Sequence, residues 1–195
     1  LQSAMAGAER IFTLLDSDES IQEVAEPLEL KEVKGRIEFQ NVWFSYDQSV
    51  DITDDEAKWI LKDVSFVVEP GQSLAIVGAT GAGKTTIISL LLRFYDVQRG
   101  TILIDGVPIN KTRLAELRTH IGLVLQDVFL FSDTIYRNIT LGDDSITKAS
   151  VIEAAKAFGA HDFISNLPGQ YDYNVMERGA MLSVGQRQLI SFVRA

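Results

Sequence analysis

Gly78-Ala79-Thr80-Gly81-Ala82-Gly83-Lys84-Thr85 joins a run of strand-forming residues, Ser73-Leu74-Ala75-Ile76-Val77, to a run suited to a helix, Thr86-Ile87-Ile88-Ser89-Leu90-Leu91-Leu92. A strand, a glycine-rich loop ending in Gly-Lys-Thr and a helix make up the setting of a phosphate-binding loop. Backbone N–H groups wrap a triphosphate closely, and Gly78, Gly81 and Gly83 let the backbone approach it. The first turn of the helix adds unpaired N–H donors and the positive end of its dipole. Lys84 supplies a mobile charge for the β- and γ-phosphates, and the Thr85 hydroxyl is placed to ligate Mg²⁺. These residues predict a bound nucleoside triphosphate.

The chain has 195 residues, enough for a substantial core. It contains no cysteine, so disulfides and thiolate metal sites are excluded, and His120 and His161 are too far apart in sequence to suggest a ligand pair. No metal beyond nucleotide-bound Mg²⁺ is expected. The apolar run 87–92 is broken by Ser89, and nothing approaches the roughly 18 apolar residues that cross a bilayer. The chain opens on Leu1 with no signal-like segment, which predicts a soluble excerpt of a longer protein.

The net charge of −9 is concentrated: residues 16–32 carry −6 and residues 47–58 carry −4, leaving +1 for the rest. Both acidic stretches read as solvated surface, a linker and an insertion. A near-neutral body offers no basic stripe for a phosphodiester backbone, so nucleic acid is not an expected partner.

Residues 1–15 have helical apolar spacing at Met5, Ala8, Ile11, Phe12 and Leu15. Residues 36–46 and 60–69 alternate and read as antiparallel strands around the polar insertion. After Pro70-Gly71 and the phosphate loop come a predicted strand at 100–106, a short helix at 112–120 and a buried strand at 121–125. Helical signals then dominate, clearest at 147–158 and from 184 to the end. The plan is a mixed α/β nucleotide core followed by a helical subdomain.

A second constellation is Leu182-Ser183-Val184-Gly185-Gln186-Arg187-Gln188. Ser183 and Gln186 have the spacing of a capping box ahead of an apolar-faced helix. Gly185 is not explained by capping, because a glycine in a first helical turn costs stability unless something approaches its backbone. A second anion contact accounts for it.

With both constellations in hand, the sequence resembles the ATP-binding domain of ABC transporters, specifically exporters, over nearly its whole length. Residues 78–85 match the family's Walker A loop and 182–186 resemble its signature. Gln126 matches the Q-loop glutamine, and 126–139 is similar to the exporter form of that loop. Val175-Met176-Glu177-Arg178-Gly179 looks like the exporter segment preceding the signature, with Glu177 at its acidic position. Tyr46 matches the aromatic residue that stacks on adenine, and Ala8-Glu9-Arg10-Ile11-Phe12 looks like the stretch after the last membrane helix of half-transporters. Read from the residues alone, Tyr46 also fits a core-packing aromatic, Gln126 a surface glutamine, and Glu177 with Arg178 an exposed ion pair.

The resemblance implies an α/β fold, a P-loop NTPase (RecA-like) core with an antiparallel β subdomain and an α-helical subdomain. Its implied layout is a linker after an upstream membrane domain at 1–33, an ATP-binding core at 34–126 and a helical subdomain with the signature at 127–195. The implied cofactors are ATP and Mg²⁺. Residues Gly78, Ala79, Thr80, Gly81, Ala82, Gly83, Lys84, Thr85 and Thr86 would hold ATP in cis with Tyr46. Ser183, Val184, Gly185 and Gln186 would meet the ATP of a second, head-to-tail domain. Thr85 and Gln126 would serve Mg²⁺, and Gln126, placed with Lys84 at the chemistry, would link the metal and attacking water to a transmembrane domain. The location implied is the cytoplasmic face of a membrane.

Two departures qualify this picture. Val184 stands where the family usually has glycine, and its branched Cβ predicts a weakened trans contact. The sequence ends at Ala195, before the family's Walker B aspartate, catalytic glutamate and switch histidine, so residues 1–195 alone are expected not to turn ATP over. An ATP-holding, non-hydrolysing domain of a heterodimeric transporter and a soluble ABC-type ATPase are the alternative readings.

Overall fold

The antiparallel pair expected around the polar insertion forms as β1 (Ile37–Phe44) and β2 (Leu61–Val68), with Phe39 opposite Phe66 and Val42 opposite Val64. Phe39, Val42 and Phe44 are all buried, although strict alternation would put Phe39 and Val42 on opposite faces. Asn41, in the left-handed region at φ 47°, adds a bulge that re-phases the strand. The sequence-predicted strand near 100–106 is β3 (Arg99–Ile104), which pairs with the other edge of β1 and with the two-residue β4 (Val107–Pro108). The sheet order is β2-β1-β3-β4. The computed structural model describes residues 2–16, 21–47, 49–176, 179 and 181–195, so Glu177 and Arg178 lie outside the described residues.

The chain divides into two units, Leu1–Ile121 and Gly122–Ala195. In the first, α1 (Gln2–Leu15) precedes the sheet, α2 (Lys84–Leu91) follows the phosphate loop, and α3 (Leu114–Thr119) closes the unit. Ile87 and Leu90 of α2 join Phe39, Val42, Phe44 and Ile102 in one buried cluster, which fixes the helix carrying the loop to the sheet. The stacked rings of Phe39 and Phe66, 4.5 Å apart, lie beneath it.

Part of the acidic stretch expected to be solvated is docked. The Glu23 carboxylate accepts from the Leu114 N–H at the start of α3 (2.7 Å), the Leu28 N–H donates to the Lys111 carbonyl (2.7 Å), and the Leu30 N–H donates to Glu116 (2.6 Å). The buried Arg93, just past α2, donates to the carbonyls of Gln22 (3.0 Å) and Thr112 (3.1 Å) and pairs with Asp96 (2.8 Å). Asp105 accepts from the backbone N–H groups of Lys34, Gly35 and Arg36 at 2.8–3.1 Å. Burial pushes its carboxyl up, but these three donors outweigh that and hold it below the ordinary carboxylate range.

The second unit is helical, with α4 (Ile135–Thr140), α5 (Lys148–Ala157), α6 (His161–Ser165) and α7 (Val184–Arg194) around Leu130, Ile135, Val151, Ile164, Tyr171 and Ile190. Side-chain caps start α4 at Thr134 and α5 at Thr147.

Two expected strands do not form ladders: neither 73–77 nor 121–125 is paired, and most of their residues are exposed. Their composition is that of central parallel strands, which depend on hydrogen-bonded neighbours along both edges, and the described residues supply none.

Candidate functional site

Gly83 is the N-cap of α2 and sits at φ 81°, with no side chain capping the helix. The first-turn N–H groups of α2 are therefore left for an external acceptor. A Cβ on Gly83 would lie 2.8 Å from Leu61 Cδ2 and 3.3 Å from the Ile60 carbonyl oxygen, so glycine is required for both space and conformation. Gly81 is also left-handed, at φ 85°, and the Ala82 N–H closes the turn on the Ala79 carbonyl (3.2 Å). The Lys84 ammonium folds back over this loop, donating to the carbonyls of Gly78 (2.9 Å) and Ala79 (2.7 Å). Thr85 is exposed beside it, whereas Thr86 is buried.

The structure brings Tyr46 to this loop. β1 ends at Phe44, so Tyr46 lies past the strand and is 48% exposed, which departs from the core-packing alternative. Its ring meets Phe44 and Tyr95 edge-on, at 4.9 and 5.1 Å, and its hydroxyl lies 3.1 Å from the Thr86 hydroxyl on α2. The aromatic ring and the first turn of α2 are thus physically linked within one unit.

Gln126 and residues 183–186 belong to the second unit. The capping box read in the sequence is present: the Gln186 N–H donates to Ser183 Oγ (3.2 Å), and the Ser183 N–H donates to Gln186 Oε1 (2.9 Å). Among the described residues nothing lies within 4 Å of the position a Cβ would take on Gly185, so their packing does not demand glycine there. Val184 projects beside it, exposed. Arg187 braces the turn before the helix by donating to the Leu182 carbonyl (2.8 Å). Gln126 is exposed and, with Asp127, Val128, Val184, Arg187 and Gln188, lines a cavity of about 200 Å³.

One organising residue of this unit had no role in the sequence reading. Asn138 is fully buried; its Oδ1 accepts from the Phe131 N–H (2.8 Å), and its Nδ2 donates to the carbonyls of Phe131 (2.9 Å) and Thr134 (3.0 Å). Arg194, at the end of α7, donates to the Asn138 carbonyl (2.7 Å) and the Phe129 carbonyl (3.2 Å). Burial lowers the pKa of its guanidinium. A polar residue between the buried Ile135 and Ile139 was the available signal for Asn138.

Among the described residues no cluster of His, Asp or Glu is arranged to hold a metal by itself.

Residues 61–195, from β2 through the phosphate loop to α7, match the family model described as ABC transporter. The chain belongs to the ABC transporter family. It is 47% identical over its whole length to the uncharacterized ABC transporter ATP-binding protein YknV of Bacillus subtilis, covering 31% of that protein. It is 46% identical to an ATP-dependent lipid A-core flippase of Saccharophagus degradans, covering 32% of it. It is 44% identical to a fatty acid ABC transporter ATP-binding/permease protein of Mycobacterium tuberculosis, covering 29% of it. The solved structure of a bacterial Atm1-family ABC exporter with ATP bound superposes with a TM-score of 0.85 at 39% identity, over 99% of this chain and 33% of that one. The chain thus spans about a third of the length of these relatives, and it is a nucleotide-binding domain of the exporter type with the P-loop NTPase fold. No helix among the described residues is long and apolar enough to cross a membrane.

Proposed function

We propose that this domain binds MgATP between its phosphate loop and Tyr46, and that ATP binding and hydrolysis in the intact protein drive export of a substrate across a membrane. The observation that carries the reading is the α2 N-terminus, which lacks a side-chain cap and lies beneath a folded-back ammonium. These are the donors a triphosphate needs: backbone N–H groups for its oxygens and Lys84 for the charge shared by the β- and γ-phosphates. When bound, Mg²⁺ would neutralise phosphate charge, with Thr85 as its protein hydroxyl.

The open backbone at Gly185 and the N-terminus of α7 support a second role. They are presented to the ATP of another domain in a head-to-tail pair, with the exposed Val184 side chain narrowing that approach. A transmembrane partner at the cytoplasmic face follows from the same reading. Val184 also gives some support to the alternative of an ATP-holding domain with weak hydrolysis.

Equilibrium binding of MgATP to the intact protein and to its Lys84→Ala variant tests the site. Loss of affinity by at least about tenfold is expected from removing a charged phosphate contact. Unchanged affinity would refute the assignment of the loop.

A further inference from the structure

We infer that Gln98 is a positioning residue of the nucleotide site, acting on the base through the segment that carries Tyr46. The inference rests on the reading of Tyr46 as the ring that stacks on the base.

The connection between Phe44 and Leu61 is sixteen residues long, against roughly 2–5 for an ordinary hairpin. Tyr46 sits near its start, where the β1–β3 ladder has ended at the Trp43–Arg99 pair. A long loop leaving a strand end would ordinarily let such a ring wander. Here the side-chain amide of Gln98 continues the ladder in place of backbone. The Ser45 N–H donates to Gln98 Oε1 (3.1 Å), and Gln98 Nε2 donates to the Ser45 carbonyl (2.7 Å). Both backbone groups of Ser45, itself 3% exposed, are satisfied by one side chain.

The next residue holds the far part of the same loop. The Arg99 guanidinium lies over the rings of Trp43 (4.7 Å) and Trp59 (5.1 Å), and it pairs with Asp55 (2.6 Å) and the Ile52 carbonyl. Two consecutive residues entering β3 therefore pin the loop on both sides of Tyr46. The ring itself is held by its contacts with Phe44, Tyr95 and the Thr86 hydroxyl. A ring fixed before binding loses less freedom when it stacks on a base, so Gln98 contributes affinity without touching the nucleotide.

The test compares binding of ATP with binding of inorganic triphosphate to the intact protein in the presence of Mg²⁺. The ratio of the two affinities isolates the contribution of the base and ribose. Gln98→Ala removes both clamp bonds and is expected to weaken ATP by roughly five- to tenfold, a part of the roughly 25-fold that two bonds of about a factor of five each represent, since only what the loss costs the ring's position reaches the base. Triphosphate binding should stay within about twofold, which also shows that the phosphate loop has folded. Gln98→Glu keeps the shape and one acceptor but cannot donate to the Ser45 carbonyl, so it should fall with the alanine variant. In a Tyr46→Ala background, Gln98→Ala should have no further effect on ATP.

Equal loss of ATP and triphosphate, no loss of either, or an undiminished effect of Gln98→Ala without the Tyr46 ring would each overturn the inference. The two layers fail differently. If Tyr46→Ala leaves the ratio unchanged, the base-stacking reading is wrong; if it lowers the ratio while Gln98→Ala does not, only the positioning role is wrong.

Discussion

Replacing Gly83 by alanine tests whether the loop's geometry is enforced by its packing or by the ligand it awaits. The residue is held at φ 81°, where an L side chain costs about 1–2 kcal/mol. The new methyl would stand 2.8 Å from Leu61 Cδ2, and overpacking of this kind costs about 1–3 kcal/mol. Alanine also restricts the unfolded chain, which returns about 0.4–1 kcal/mol. The net expectation is a loss of roughly 2–4 kcal/mol without any nucleotide present. Native-state hydrogen exchange of the intact protein measures it locally, at the amides of Ile87 and Leu90 in α2 and across β2. Because Leu61 supplies the obstruction, Gly83→Ala combined with Leu61→Val should be less destabilised than the sum of the single changes, by about 1 kcal/mol. A loss under about 0.5 kcal/mol, or strict additivity of the pair, would refute the steric part of this reasoning.

Three further outcomes are expected. Ser183→Ala should lower the protection of α7 by about 1 kcal/mol in exchange measurements, while Ser183→Asp, which can still accept from the Gln186 N–H, should not. Asn138→Ala strands the Phe131 N–H and removes the donors to two carbonyls, so a loss of about 2–4 kcal/mol in denaturant stability of the second unit is expected. Asp105 titrates lower in the folded chain than in the unfolded one. Its stabilisation is therefore present above the unfolded value near ~3.9 and disappears as pH falls through the folded value. Asp105→Asn should accordingly be less stable than the parent at pH ~7, with the two stability curves converging in acid.

What was legible in the sequence was local. The glycines of residues 78–83 and the Ser183–Gln186 spacing specify hydrogen bonds a few residues long, and both the loop-to-helix turn and the capping box formed as read. The apolar runs at 73–77 and 121–125 carry strand composition, but a ladder needs a second strand whose position no local pattern encodes. Charge was only part of the story: Glu23, in the stretch read as solvated, stays exposed yet accepts a backbone N–H from the start of α3. Asn138 and Gln98 were equally hidden, because a side chain that satisfies distant backbone looks like any other polar residue until the chain has folded.

The docking of the segment before β1 also changes the mechanics of the chain. From Gln22 to Ile37, residues that would span roughly 50 Å if extended are instead laid against Arg93, Lys111, Leu114 and Glu116. Among the described residues, the first one after α1 that is held to the body of the unit is thus Gln22, bonded to Arg93, two residues beyond the last residue of α2. A pull on the chain at Gln22 would therefore act on the end of the phosphate-loop helix before it acted on the sheet.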